Sequence, residues 1–165
     1  MNPYERMTAR LAGQPVDRVP NFNIFMQFAS HYIGQPLSRY YQDYRVLCDA
    51  NFAVQEAFDL DILQAISDPY REAADLGLRV DFPDDSLPLA TTPLLLDPAD
   101  LAALRPVAPE MGRRMSDRLA ALRLFREQAG GRVPIMGWVE GALAEAADLR
   151  GVGALLMDLV DRPAW

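Results

Sequence analysis

Cysteine and histidine are almost absent from this sequence: Cys48 and His31 stand alone among 165 residues. No intramolecular disulfide can therefore form, and no Cys/His zinc cluster can be assembled from this stretch. Long apolar runs are missing too, since nothing approaches the roughly 18 consecutive apolar residues of a membrane-spanning helix. Met1 to Gly13 is a charged amphipathic segment rather than a signal sequence, so the expected location, by default, is cytoplasmic. Basic clusters are also lacking. With a net charge of −7 and a pI near 4.6, the chain offers no phosphate-tracking surface, which argues against nucleic acid as a partner.

What is present is the composition of a soluble globular protein: half the residues are hydrophobic and 24% are charged, enough to build a core. No internal repeat, low-complexity tract or linker divides the chain, so one domain, or part of one, is expected. Asn2-Pro3-Tyr4-Glu5 reads as a helix start, with Asn2 as N-cap, Pro3 at the first helical position and Glu5 reaching back; Gly13 supplies the stop. Polar and apolar residues then alternate over 21–25 with the period of a strand. Tyr44, Leu47, Cys48, Val54 and Phe58 recur at helical spacing, which predicts a helix between Asp43 and Phe58 with one buried face.

Residues 61–66 form a short apolar run suited to a strand covered on both sides, and Ser67-Asp68-Pro69 leaves its carboxyl end. A short helical turn over 70–76 stops at Gly77, and the Pro- and Asp-rich stretch through Pro93 reads as an insertion or lid. Asp97-Pro98-Ala99-Asp100 opens a further helix. Met111, Met115, Leu119, Leu122, Phe125 and Ala129 make its apolar stripe, and Gly130-Gly131 ends it. Arg113, Arg114, Asp117, Arg118 and Arg126 are expected to face solvent. Residues 133–138 read as another buried strand, followed by helices over 142–149 and 152–159. Asp161-Arg162-Pro163 has the form of one more helix start, interrupted at Trp165. Strands alternating with helices favour a parallel sheet.

Three blocks in this order carry a family resemblance. Glu5-Arg6 to Gly13 with Pro15-Val16-Asp17-Arg18-Val19-Pro20 resembles the opening of the uroporphyrinogen decarboxylase superfamily. Glu56 to Asp61, Ile66-Ser67-Asp68 and Glu72 to Gly77 are similar to its strand, acidic loop and Glu-Ala-x-x-x-Gly helix. Pro134-Ile135-Met136-Gly137-Trp138-Val139-Glu140-Gly141 resembles its strand ending in a Gly-rich turn. The resemblance implies a (β/α)8 TIM barrel, which typically takes about 250 residues. The expected architecture is therefore an incomplete barrel: an N-terminal half with parallel strands and an N-terminal helix, residues 1–165 being the N-terminal portion of a single barrel domain.

The resemblance also implies site residues. Asp68 matches the catalytic aspartate that binds pyrrole N–H groups in the decarboxylases, a task that suits an acceptor-only carboxylate at the carboxyl end of a barrel strand. The plain alternative is a turn cap before Pro69. Met26-Gln27-Phe28-Ala29-Ser30-His31-Tyr32 falls where the decarboxylases have Met-Arg-Gln-Ala-Gly-Arg-Tyr, so Gln27 and His31 replace two arginines that pair with substrate carboxylates. Neither replacement offers a permanently charged fork. Gln27, His31, Trp138 and Glu140 are the expected substrate-binding residues. For His31 a satisfied structural role is the competing reading, and for Trp138 simple cover of the barrel rim. Met111 and Met115 read as core filler, and Cys48 as buried and inert.

The missing arginines favour the corrinoid-dependent methyltransferase branch, which moves methyl groups between corrinoid proteins and thiols such as coenzyme M; uroporphyrinogen decarboxylase of porphyrin synthesis is the alternative. In the methyltransferases zinc is held by a His-x-Cys pair and a later Cys from the second half of the barrel, so no cofactor is expected within this chain and zinc only in the full-length protein. Expected partners are a tetrapyrrole or thiol substrate and a corrinoid protein, with no nucleic acid and no membrane. By itself the fragment is expected to lack turnover. A rival of another class is a non-catalytic half-barrel that binds tetrapyrrole or corrinoid, or pairs with a second chain to cover open sheet edges.

Overall fold

The computed structural model describes residues 1–163. Two compact units emerge, Met1–Ser67 with Asp117–Trp138, and Asp68–Ser116 with the chain from Val139 onward.

In the first unit, helix α1 (Pro3–Leu11) is set by a capping box: Asn2 accepts the Glu5 N–H at 2.8 Å and Glu5 accepts the Asn2 N–H at 3.0 Å. Two short helices, α2 (Met26–Tyr32) and α3 (Leu37–Gln42), precede α4 (Tyr44–Ala57), whose N-cap is Asp43. Helices α2, α3 and α4 pack on one another, and α4 packs on strand β1 (Leu63–Gln64). Leu37, Tyr40, Tyr41, Leu47, Cys48, Val54 and Leu63 are buried there. Strand β1 pairs in parallel with β2 (Ile135–Met136), Leu63 opposite Ile135 and Gln64 opposite Met136. Parallel pairing confirms the strand direction expected from the alternation of elements. β1 is covered as expected, whereas β2 is only half-buried.

The strand expected over 21–25 is not formed. Asn21 does accept the Asp61 N–H at 3.0 Å. Beyond it, however, the Gln64 N–H donates to the Asn51 side chain at 3.0 Å, and the Gln64 side-chain amide donates to the Asn23 carbonyl at 2.5 Å. Amide side chains thus take the bonds that a backbone ladder would have used.

In the second unit, α5 (Arg71–Asp75) is followed by Gly77, whose φ of 112° suits the turn. An isolated antiparallel bridge joins Asp81 to Leu89. At the helix start expected there, Asp97 and Asp100 form a capping box, but it opens only a 3-10 helix, Pro98–Ala103. The long helix α6 begins separately at Arg113 and ends at Ala129; its residues from Asp117 count with the first unit. Met111 therefore precedes the helix and is 81% exposed, not core. Phe125 and Ala129 are buried as expected, with Met115, Leu119 and Leu122 partly so. Arg114 and Arg118, expected in solvent, are 6% and 4% exposed because each guanidinium finds polar partners inside its unit. Helices α7 (Ala142–Arg150) and α8 (Val152–Asp161) follow. Asp161 ends α8, with Arg162 as C-cap, so the helix start expected at 161–163 is a helix end. A small core of Ala73, Leu78, Leu95 and Leu149 ties α5 to α7. No described helix is long and apolar enough to cross a membrane.

Candidate functional site

The motif that opens the chain builds an ion network around the buried Asp61 rather than a pocket. Arg6 donates to Asp17 from Nε at 2.7 Å and from Nη2 at 2.8 Å, and its Nη1 pairs with Asp61. Arg18 meets Asp61 from Nη1 at 2.5 Å and Asp59 from Nη2 at 2.8 Å, while the Asn21 N–H donates to Asp61 at 2.6 Å. Asp61, fully buried, thus collects two guanidinium groups and a peptide N–H, which meets the requirement that a buried charge be paired and hydrogen-bonded.

Gln27 and His31 lie one turn apart on α2, both exposed. Beside them Phe28, Tyr32 and Phe58 form a half-exposed aromatic cluster with ring centroids 5.3 to 6.0 Å apart. A hollow of about 300 Å³ is lined by Asn21, Asn23, Phe25, Phe28, Val54, Phe58 and Leu60, a lining that includes neither Gln27 nor His31. Trp138, two residues beyond β2, is half-buried.

Asp68 and Glu140 belong to the second unit. Asp68 follows β1 by four residues, past its carboxyl end, and is buried. Its Oδ1 accepts the Tyr70 N–H at 3.2 Å, which is the turn-capping contact, and its Oδ2 pairs with the guanidinium of Arg114. Arg114 also lies over the Phe82 ring, 4.8 Å from its centroid.

Carboxylates crowd the same unit. Glu145 and Asp148 stand one turn apart on α7, and Glu72 on α5 is held by Arg71 at 2.7 Å. Burial pushes the Glu145 carboxyl up to about 7, helped by the charges of Glu72, Asp148 and Glu140. Burial likewise raises Asp148, with Glu140 and Asp68 adding to the effect. Both Glu145 oxygens and Glu72 Oε2 are buried without a donor. A proton on Glu145 supplies one, to be shared with Glu72. Asp68 and Glu140 thus both act on the Asp148 carboxyl. Sequence reading missed Arg114, Glu72, Glu145 and Asp148; the i, i+3 spacing of Glu145 and Asp148 just after Glu140 was the available signal. Among the described residues no group of three or more His, Cys, Asp and Glu side chains is placed to hold a metal ion.

Parallel strands joined through helices, with an acidic loop leaving the carboxyl end of β1, match part of a (β/α)8 barrel. A solved methyltransferase from Methanosarcina mazei shares this fold with a TM-score of 0.78 at 21% identity, the match covering 99% of this chain and 49% of that one. The chain thus spans about half the length of that protein. The family model described as uroporphyrinogen decarboxylase (URO-D) matches residues 2–164, and the chain belongs to this family. Nothing among curated protein sequences matches it.

Proposed function

We propose that this chain is part of an enzyme of the corrinoid-dependent methyltransferase branch of the family, transferring a methyl group between a corrinoid protein and a thiol. The observation that carries the reading is the pair Gln27 and His31. They present an amide and an imidazole one turn apart on α2, where the decarboxylase pattern has two arginines to clamp substrate carboxylates. A neutral amide cannot replace a guanidinium fork.

Within this reading Asp68 is the site carboxylate. With Oδ1 on a peptide N–H and Oδ2 on Arg114, it serves as a fixed acceptor that holds an N–H donor or positive charge on the ligand. Glu140, in the same unit as Asp68, would add a polar contact to the ligand. When bound, zinc would stabilise the acceptor thiolate; the described residues do not supply a ligand set for it, so its ligands belong elsewhere in the protein.

The test is metal analysis of the full-length protein together with methyl transfer from methylcobalamin to 2-mercaptoethanesulfonate. About one zinc per chain and zinc-dependent transfer are expected. Active metal-free protein, or carbon dioxide release from uroporphyrinogen without methyl transfer, would overturn the proposal in favour of decarboxylation.

A further inference from the structure

We infer that Asp75 is a positioning residue of the candidate site, fixing the first turn of α6 so that the Arg114 guanidinium is presented to the Asp68 carboxylate. This rests on the reading of Asp68 as the site carboxylate.

The first N–H groups of a helix have no partner inside it. In α6 two of them are served from 39 and 40 positions away: Asp75, the last residue of α5, accepts the Arg114 N–H at 2.9 and 3.0 Å and the Met115 N–H at 2.8 Å. A carboxylate there also complements the positive end of the helix dipole. The approach is close enough to dictate the neighbouring residue. A Cβ on Gly112 would stand 2.2 Å from Asp75 Oδ2 and 2.7 Å from Cγ, so only glycine admits the carboxylate.

Arg114 is therefore held at three points. Asp75 fixes its backbone, Phe82 lies under its guanidinium plane, and Asp68 receives its tip. Arginine has many rotamers, and a planar fork reaches a carboxylate productively only when its base is fixed. Because Asp68 Oδ1 is already on the Tyr70 N–H, holding Oδ2 with Arg114 sets the plane of the carboxylate. Loss of such alignment is costly even when no reacting group is touched.

The experiment is residue-resolved hydrogen exchange on the intact protein, comparing Asp75→Ala, Asp75→Ser and Arg114→Gln. In Asp75→Ala the Arg114 and Met115 amides, and also the Tyr70 amide on Asp68, should exchange about tenfold faster, the fold-change that losing a cap of ordinary strength gives. Asp75→Ser keeps a short acceptor oxygen and should restore all three. Arg114→Gln should expose Tyr70 while Arg114 and Met115 stay protected by Asp75, a pattern that general loosening would not give. Unchanged Tyr70 exchange in Asp75→Ala, or no recovery in Asp75→Ser, overturns the positioning role; should Asp75→Ala not fold, the serine and glutamine variants decide it. Turnover that survives Asp68→Asn would sink the functional reading of Asp68 and leave the exchange result standing.

Discussion

The guanidinium of Arg6 and the carboxylate of Asp61, 55 positions apart, form a buried ion pair. It joins the opening helix to the residue just ahead of β1, and it explains why the opening motif carries an Asp-Arg dipeptide: Asp17 and Arg18 complete the network from either side. Asp61→Ala would strip both guanidinium groups of their shared partner. A loss of about 3 to 5 kcal/mol is expected, the range found when one member of a buried pair is removed. Urea unfolding measures it, and a change within error would show that Asp17 and Asp59 suffice.

Asp17 governs the acid limb of stability. The hydrogen-bonded Arg6 guanidinium, opposed in part by burial, holds its carboxyl well below the ordinary 3.8. A depressed folded value contributes stability above the unfolded value, and that contribution disappears as pH falls through the folded one. Asp17→Asn should therefore be less stable than wild type at pH 7, the gap closing below about pH 4. Parallel stability curves down to about pH 2 would refute this.

Glu145 works in the opposite direction. Burial, with Glu72 and Asp148 nearby, raises its carboxyl from 4.5 to about 7. A raised value means that the folded chain holds the proton more tightly than the unfolded chain. The contribution is fully present below 4.5 and is lost as pH rises to about 7. Chemical denaturation across this window should show a falling slope in wild type that flattens in Glu145→Gln, with the variant gaining relative stability at the alkaline end. An unchanged slope would mean that the proton resides elsewhere in the cluster.

Cys48 should resist modification. The thiol is fully buried, with Sγ 3.6 Å from the Ala121 carbonyl, and burial pushes it up to about 12 although Arg118 pulls the other way. Since the thiolate is the reacting form, iodoacetamide at mildly alkaline pH should label the urea-unfolded chain completely and the native chain hardly at all. Rapid native labelling would place the thiol nearer solvent.

Local chemistry made much of the fold readable. Asn2 and Glu5 form their capping box because its partners are three residues apart, and α4 shows its apolar face in its spacing. The region 21–25 misled because alternation alone does not form a ladder; Asn51 and Gln64, distant in sequence, took the bonds. The faces of α6 misled for a similar reason. Arg114 looks like a solvent residue until Asp68, 46 positions away, and Phe82 are folded against it. Met111 looked like core because nothing local announces that Asp75 starts the helix only after Gly112. Asp68 itself was found by resemblance, whereas its partner was visible only in three dimensions.

The amide plug at the flank of β1 has one further consequence. Naked peptide groups along a strand invite a stranger's backbone to zip on. With the Gln64 N–H already committed to Asn51 and the Asn23 carbonyl to the Gln64 amide, an intruding strand would have to evict two side chains before its first bond. These carboxamides act as a built-in guard against misassembly at a place where the backbone itself offers none.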